Sequence, residues 1–149
     1  MKRVWMTAAL AALFFANASN VKIDNSVHIN NYIELQIAEN RYRYERFVYA
    51  LTYVESRHDP YAVGLANDIG IFQITPIRLK DYNQSTGGNY TLDDLFCPDV
   101  SRTIFDYYSA GLDFERAARE WNGGPRGMQK PHTVQYWNKI LDVMYNLKF

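Results

Sequence analysis

Residues 34–56, ELQIAENRYRYERFVYALTYVES, decide how this chain is expected to fold. Apolar side chains recur along this stretch at steps of three and four, with Arg and Glu between them, which is typical of an amphipathic helix. These side chains are Leu35, Ile37, Ala38, Tyr42, Phe47, Ala50, Leu51 and Val54. Because the residue before a proline resists helical geometry, the helix is predicted to end near Ser56, ahead of Pro60. Glu55 then lies in its last turn, beside the apolar face.

Turn and cap signals divide the rest of the chain into shorter helices. Pro76 can begin one helix, residues 87–89 (Gly-Gly-Asn) mark a turn, and Thr91 with Asp94 resembles a capping box. Further helices are predicted over residues 98–110, 113–121 and 134–146, and Gly123-Gly124-Pro125 ends the second of these. The expected fold class is a small, mainly α single domain over residues 34–149.

The N-terminal residues have the pattern of a secretory signal. Lys2 and Arg3 precede an uncharged, mostly apolar run over residues 4–16, and Ala16-Asn17-Ala18 offers the small residues that signal peptidase favours. The run is too short for the roughly 20 residues of a bilayer-spanning helix. We therefore predict a signal peptide over residues 1–18, an irregular lead-in over residues 19–33, and a periplasmic or extracellular protein. No Cys lies near the cleavage site for a lipid anchor, so no membrane attachment is expected after cleavage.

Composition argues against several other classes of protein. Lys plus Arg and Asp plus Glu number 16 each, so no electrostatic case exists for binding nucleic acid. The single cysteine, Cys97, has apolar neighbours and is predicted to be a buried small hydrophobe. The three histidines, His28, His58 and His132, lack the spacing of metal ligands. We expect neither a metal nor another cofactor.

Glu55 is the candidate catalytic residue on chemical grounds. Burial against an apolar wall raises the pKa of a carboxyl group, and the partial negative charge of a helix C-terminus acts in the same direction. Such a group stays protonated near neutral pH and can serve as a general acid. A Glu at the end of an amphipathic helix is more often simply solvated, so the case depends on the other segments.

Three other segments accompany the one that contains Glu55. Glu55-Ser56-x-x-Asp59-Pro60-x-Ala62-Val63-Gly64 is followed by Gly70-Ile71-Phe72-Gln73-Ile74-x-Pro76, then Ala117-x-x-x-Trp121-Asn122-Gly123-Gly124, then Tyr136 within residues 133–140. In this order they resemble the lytic transglycosylase (SLT) domain, a relative of goose-type lysozyme in the lysozyme-like superfamily. The resemblance covers residues 46–143 and implies a lysozyme-like helical domain, with its cleft at the end of a long helix, that cleaves peptidoglycan glycan strands.

The resemblance implies a role for each matching residue. Glu55 would be general acid and then general base, and Ser56 would hydrogen-bond near it. Gly70 would let the backbone approach the sugar, while the backbone of Ile71 and Phe72 could line the cleft.

Three further residues have roles by the same resemblance. Gln73 would contact the sugar or brace the cleft, Asn122 would hold a sugar substituent, and Tyr136 would lie near the acid and orient it. Ordinary alternatives remain: a surface amide at Gln73, a helix C-cap at Asn122 and a packing Tyr136.

This sequence departs from the family pattern at two places. The family commonly has Tyr before Asn-Gly, where Trp121 stands here and could offer a flat face for stacking on a sugar. Ile71-Phe72 replaces Leu-Met, an exchange that should preserve packing. The first departure puts the substrate preference in doubt.

The resemblance implies a specific reaction. With one carboxylate, Glu55 would protonate the leaving oxygen of the MurNAc–GlcNAc β-1,4 bond and then deprotonate the 6-hydroxyl, giving a 1,6-anhydro product. A lysozyme-type hydrolase would need a second carboxylate to position water; Asp68 is the better candidate, since Asp59 before Pro60 is predicted to form a turn. A third alternative is a non-catalytic glycan-binding protein.

The expected partners are peptidoglycan strands, for a protein that is expected to be a monomer. The setting could be wall turnover, a secretion or conjugation apparatus, or a phage. Endo or exo cleavage stays open.

Overall fold

The computed structural model describes residues 25–146, with side chains from residue 29 onward. The five α-helices of this part are α1 (Asn25–Ser56), α2 (Pro76–Thr86), α3 (Pro98–Ser109), α4 (Phe114–Gly123) and α5 (Pro131–Asn146). Short 3-10 helices lie at Asp93–Phe96 and Gly127–Gln129. Residues 25–146 contain no extended strand, and their β-structure is limited to isolated bridges that join Ile69 to Val63 and to Ile74. The prediction of a mainly α fold is confirmed.

The described residues fall into two units that meet between Asn40 and Arg41. In the first unit every described side chain, from residue 29 to residue 40, is exposed. Leu35 is 68% exposed and Ile37 is 54% exposed, so these two residues of the predicted helix's apolar pattern are not part of the core. Apolar periodicity reports that a helix can bury one face, but it does not supply a neighbour for that face.

The irregular lead-in that was predicted over residues 19–33 is also wrong where the structure describes it. Residues 25–33 are helical, and α1 begins at Asn25 rather than near Glu34. The sequence from residue 25 to residue 56 contains no Gly or Pro, so no strong helix breaker interrupts it. Residues 19–24 and the predicted signal peptide lie outside the described residues.

The second unit is built around the C-terminal part of α1. Phe47 and Leu51 are fully buried there, together with Phe105 of α3 and Ile140 of α5. The Phe47 ring stacks on that of Phe114 with centroids 4.7 Å apart. Full burial of each such side chain contributes about 1.5–3 kcal/mol, so this packing fixes the position of the C-terminal end of α1.

Local signals place the ends of the shorter helices. The Thr75 hydroxyl caps α2 by accepting a hydrogen bond from the Arg78 amide at 3.3 Å, and Pro76 occupies its first position. Gly87 ends α2 with a left-handed backbone, at φ 72°. Asp113 caps α4, whose C-cap is Gly124. The predicted boundaries agree within three residues, the largest difference being that α5 begins at Pro131 rather than Val134.

Cys97 is exposed, which corrects the prediction that it is a buried hydrophobe. It is the N-cap of α3, at the junction with the Asp93–Phe96 helix. The core position in this segment belongs to Leu95, which is fully buried. Separately, none of the helices within residues 25–146 combines the length and apolar character needed to cross a bilayer.

Candidate active site

The carboxyl group of Glu55 lies at the C-terminal end of α1, one turn beyond the fully buried Leu51. Burial is the largest influence on this group and raises its pKa to about 7. A carboxyl group with this pKa is substantially protonated near neutral pH, and it can both give and take a proton there. The sequence prediction that Glu55 lies beside the apolar core is confirmed.

Tyr136 of α5 approaches Glu55 from across the domain. Its hydroxyl donates a hydrogen bond to Glu55 Oε1 at 2.5 Å, and its side chain is buried. The structure therefore places Tyr136 where the sequence analysis expected it. Burial, together with the neighbouring carboxylate, raises the pKa of Tyr136 well above its usual value, so the phenol keeps its proton. Tyr136 is thus a fixed donor to the acid.

Ser56 connects the end of α1 to the segment between α1 and α2. Its hydroxyl lies 2.9 Å from the Ile71 carbonyl and 3.2 Å from the Thr52 carbonyl, and one proton serves both. Ser56 thus lies next to the acid in sequence, but its hydrogen bonds go to the backbone. These contacts hold the residue 57–75 segment against the helix end that carries Glu55.

The backbone at residues 70–73 is shaped by its own packing. Gly70 has φ 77°, and a Cβ added there would lie 2.1 Å from the Leu95 carbonyl oxygen. Gly70 therefore permits a close approach to protein backbone, whereas the sequence analysis assigned that freedom to a sugar. The Phe72 carbonyl accepts the Trp121 indole N–H at 3.1 Å, and the Phe72 ring packs on Phe105 with centroids 5.0 Å apart.

Gln73 braces this segment from within. Its side-chain amide donates to the Gly70 carbonyl at 2.9 Å and to the Ala62 carbonyl at 3.3 Å. Its backbone has φ 52°, a left-handed conformation that non-glycine residues seldom adopt. Of the two roles predicted for Gln73, bracing the cleft matches these contacts.

Asn122 and Trp121 are neighbours in the last turn of α4 but differ in exposure. Asn122 is exposed and precedes the C-cap Gly124 by two residues, so the alternative that Asn122 is the cap is wrong. Trp121 is only 5% exposed. The Arg78 guanidinium carbon lies 3.9 Å from the centre of the indole, and the Phe105 ring meets it edge-on at 4.9 Å. The suggestion that Trp121 offers a free face to a sugar is therefore wrong.

Arg78 is the residue that the sequence analysis missed. It lies in the first turn of α2, and one guanidinium nitrogen donates to the Trp121 carbonyl at 2.7 Å. Its positive charge lowers the pKa of both Glu55 and Tyr136, against the effect of burial. A cation in the first turn of a helix opposes the helix dipole, and that unfavourable placement is the signal that could have identified Arg78.

Asp68 lies in the segment between α1 and α2. Its Oδ1 atom accepts the Ala66 amide N–H at 3.1 Å. Gly64 passes so close that a Cβ there would lie 2.1 Å from Asp68 Oδ2. The negative charge of Asp68 raises the pKa of Glu55, as the smallest of the influences on it. Asp59 accepts the Tyr61 amide N–H at 2.9 Å, which confirms it as a turn former.

A cavity of about 410 Å³ lies between α2, α3 and α4. Arg78, Asp81, Tyr108, Glu120 and Trp121 are among its lining residues, whereas Glu55 and Tyr136 are not. Arg78 therefore contributes both to this cavity and to the electrostatics of Glu55. No group of three or more His, Cys, Asp or Glu within the described part of the chain is placed to hold a metal ion.

Comparison with known proteins identifies one family. Residues 33–105 match the family model described as the transglycosylase SLT domain. No curated protein matches the chain. The matched segment includes Glu55, Ser56 and residues 70–73 but ends before Trp121 and Tyr136, which are joined to it by the hydrogen bonds at Phe72 and Glu55.

Proposed function

We propose that this chain, whose residues 33–105 match the transglycosylase SLT domain, cleaves peptidoglycan and uses Glu55 as its catalytic acid and base. In this proposal the protein breaks the β-1,4 bond between MurNAc and GlcNAc and leaves a 1,6-anhydro end. One observation carries it. Burial raises the pKa of the half-buried Glu55 to about 7, and its carboxyl accepts a hydrogen bond from Tyr136.

The first step requires a protonated acid beside the leaving oxygen. Protonated Glu55 donates its proton to the GlcNAc oxygen as the C1–O bond of MurNAc breaks, and the substrate's N-acetyl oxygen bonds to C1 in compensation. Glu55 becomes a carboxylate in this step. The Tyr136 hydroxyl stabilises that charge by donating to it, because hydrogen bonds to ionised acceptors are stronger than those between neutral groups.

The second step returns the enzyme to its starting state. The Glu55 carboxylate takes the proton of the MurNAc 6-hydroxyl, and that oxygen attacks C1 while the bond from the N-acetyl oxygen breaks. The atoms balance without water, since the proton lost in the first step is regained in the second. A group with a pKa near the working pH suits both transfers.

Hydrolysis is the second candidate, and the location of Asp68 is the observation that favours it. The charge of Asp68 reaches Glu55, so a second carboxylate is available in the same region. An inverting hydrolase would use such a carboxylate to activate water on the opposite face of the sugar. Asp68 Oδ1 already accepts a hydrogen bond from a backbone amide of its own loop, which argues against this role.

Digestion of purified peptidoglycan followed by mass spectrometry of the fragments tests the proposal. We expect fragments with 1,6-anhydro ends, whereas reducing ends would support the hydrolase and no fragments would support a glycan-binding protein. Glu55→Gln should reduce cleavage by about 10³-fold or more, since it removes the proton donor. Glu39→Gln is the matched control, because Glu39 is an exposed residue of the same helix. Full activity in Glu55→Gln would contradict the assignment.

We also propose that the protein is exported, because its first 18 residues have the pattern of a cleaved signal. The protein would then be located in the periplasm or outside the cell. Its partner there would be peptidoglycan strands, and it would act as a monomer. The mass of the protein recovered outside the cytoplasm checks this directly. A mature chain that begins near Ser19 supports export, and recovery of only the uncleaved chain in the cytoplasm contradicts it.

A further inference from the structure

The cavity between α2, α3 and α4 has no part in the proposed reaction, because neither Glu55 nor Tyr136 lines it. Its volume of about 410 Å³ lies in the range of sites that hold a small molecule or one group of a larger ligand. Aromatic rings form part of its wall, and its charged lining residues are Arg78, Asp81 and Glu120. In sites of this kind a few polar groups in a largely apolar wall fix the orientation of the ligand. These three charges therefore indicate what the cavity can bind.

Arg78 lines the cavity with a guanidinium group that is fixed in position. Its carbon lies 3.9 Å from the centre of the Trp121 indole, and one nitrogen donates to the Trp121 carbonyl at 2.7 Å. Among the side chains that the structure describes, the ion pairs within 4 Å do not include Arg78. A guanidinium has five N–H donors in a planar fork that matches a carboxylate, and a half-buried cation without an anionic partner is unfavourable. A carboxylate of a ligand would supply that partner.

Asp81 and Glu120 contribute negative charge to the same lining, from α2 and α4. Asp81 Oδ2 accepts a hydrogen bond from the Tyr108 hydroxyl at 2.6 Å. Glu120 Oε1 accepts one from Arg116 Nε at 2.8 Å. Within residues 29–146 the second oxygen of each carboxylate accepts no hydrogen bond, so both can accept one from a ligand. A ligand with an ammonium group as well as a carboxylate would therefore match both signs of charge in the cavity.

In peptidoglycan, the peptide stems are the part that can carry both of these groups. The nitrogen atoms of GlcNAc and MurNAc are acetylated, and the carboxyl group of MurNAc is joined to the stem as an amide. The glycan strand itself is therefore without an ammonium group. A diamino acid such as diaminopimelate in the stem has a free end with an ammonium group and a carboxylate on one carbon atom. That free end has the charges that the cavity lining complements.

Two hydrogen bonds connect the cavity to the end of α1 that carries Glu55. Trp121 lines the cavity, and its indole N–H donates to the Phe72 carbonyl at 3.1 Å. The neighbouring Ile71 carbonyl accepts the Ser56 hydroxyl at 2.9 Å, and Ser56 follows Glu55 in the chain. The stem leaves the strand at MurNAc, the sugar whose C1–O bond is broken in the proposed reaction. A stem bound in the cavity would thus belong to the strand that is cut.

We propose that this cavity is a subsite for the peptide stem and binds the zwitterionic end of a diamino acid, with the carboxylate on Arg78 and the ammonium group on Asp81 and Glu120. The inference rests on the proposed function, because a peptidoglycan substrate brings the stem. The rings of Tyr108 and Trp121 would cover the aliphatic part of the diamino acid. Strands with stems would then bind more tightly than strands from which the stems have been removed.

Two tripeptides that differ in one carboxylate test the site on the full chain. L-Ala-γ-D-Glu-meso-diaminopimelate has the zwitterionic end, whereas L-Ala-γ-D-Glu-L-Lys has the ammonium group alone. The indole N–H signal of Trp121 in ¹H–¹⁵N NMR spectra reports binding, and Trp121→Phe identifies that signal. We expect the diaminopimelate tripeptide to bind the wild type about tenfold more tightly, because the additional carboxylate forms charge-assisted hydrogen bonds.

Three variants assign the charges to the two ends of the ligand. In Arg78→Met both tripeptides should bind with the same low affinity, since the guanidinium is the group that distinguishes them. In Asp81→Asn and in Glu120→Gln both tripeptides should lose about threefold to tenfold in affinity while their ratio is kept, because both carry the ammonium group. Lys80→Met is the matched control and should change neither affinity. Lys80 is an exposed cation of the same helix and does not line the cavity.

The inference is overturned if the wild type binds the two tripeptides equally, or if neither of them shifts the Trp121 signal. A tenfold preference that survives in Arg78→Met also contradicts it, as does displacement of the tripeptide by a stem-free GlcNAc–MurNAc disaccharide, which would make the cavity a sugar subsite. If Arg78→Met does not fold, unchanged affinities in Asp81→Asn and Glu120→Gln overturn the site. Failure of the proposed function is seen separately, because a wild type that cleaves no glycan can still be tested for binding of the tripeptides.

Discussion

The end of α1 and the loop that follows it each carry a carboxyl group, and the two groups differ in their surroundings and in their hydrogen-bond partners. Glu55 is withdrawn from water by the core and its partner is a side chain 81 residues away, Tyr136. Asp68 is bound by the amide of Ala66, two residues away in its own loop. The difference teaches that burial raises the pKa of the carboxyl group with the distant donor, while the carboxylate engaged by its own loop helps to shape that loop.

Among changes that leave Glu55 itself intact, removal of the distant donor should have the largest effect. In Tyr136→Phe the Glu55 carboxylate loses its hydrogen bond, and a bond to a charged group contributes about 1.5–3 kcal/mol, so kcat should fall about 10- to 100-fold. Because this bond lowers the pKa of Glu55, the basic limb of the pH–rate profile should move to higher pH. Tyr145→Phe, on the exposed end of α5, is the control. If the basic limb of the pH–rate profile does not move in Tyr136→Phe, the contribution of Tyr136 is packing alone.

The buried state of Glu55 should be visible in the stability of the protein. Its folded-state pKa is raised from 4.5 to about 7, so its contribution to stability is fully present below pH 4.5 and is lost as the pH rises through about 7. At pH 8 Glu55→Gln should therefore be more stable than the wild type by about 1–3 kcal/mol.

Urea unfolding at pH 4 and pH 8 measures this effect, with Glu39→Gln as the exposed control. The gain should largely disappear at pH 4, which lies below the pKa of Glu55 in both the folded and unfolded states, so that the carboxyl is mostly neutral in each. Equal stability of Glu55→Gln and wild type at pH 8 would mean that the carboxyl is better solvated than the structure indicates.

Ser56 connects the end of α1 to the loop that follows it. Loss of its hydroxyl should therefore lower both the stability of the protein and the rate of cleavage by moderate amounts. Ser56→Ala removes the hydroxyl contacts to the Ile71 and Thr52 carbonyls and should lower the free energy of unfolding by about 1 kcal/mol. Cleavage should fall a few-fold as the loop loosens beside Glu55. Ser56→Thr keeps the hydroxyl and should retain most of the stability and most of the cleavage activity. A Thr variant as impaired as the Ala variant would point to side-chain volume instead.

Asp68→Asn should have the smallest effect if Glu55 works alone. The Asn oxygen can still accept the Ala66 amide, so the loop should keep its shape, and kcat should change by less than about threefold. A loss of about 100-fold or more, together with reducing ends in the product, would instead make Asp68 the second carboxylate of a hydrolase. Peptidoglycan digestion at several pH values, with mass spectrometry of the products, distinguishes the two outcomes.

The sequence alone was sufficient for features with local causes. The end of α1 at Ser56 follows from Pro60, and the start of α2 follows from Thr75 and Pro76. The location of Glu55 beside the core follows from helical spacing, since Leu51 lies one turn before it. The family motif added Tyr136, because spacing within one helix cannot indicate which distant helix will approach.

Features that depend on residues far away in the chain could not be predicted from the sequence. Leu35 and Ile37 have the period of a buried face, yet both are exposed. Arg78 and Trp121 are 43 residues apart, and nothing in either segment indicates that a guanidinium will cover the indole. Cys97 looked apolar from its neighbours, but a position between two helical segments put it at the surface.

The Arg78–Trp121 contact also bears on how this chain could have diverged. The indole gives the guanidinium a flat face and a fixed carbonyl, and the guanidinium covers a ring that would otherwise be open on that side. A lineage that replaced one of the two would leave the other without its partner. The two positions should therefore be inherited or lost together, and relatives with Tyr at position 121 should rarely retain Arg at position 78.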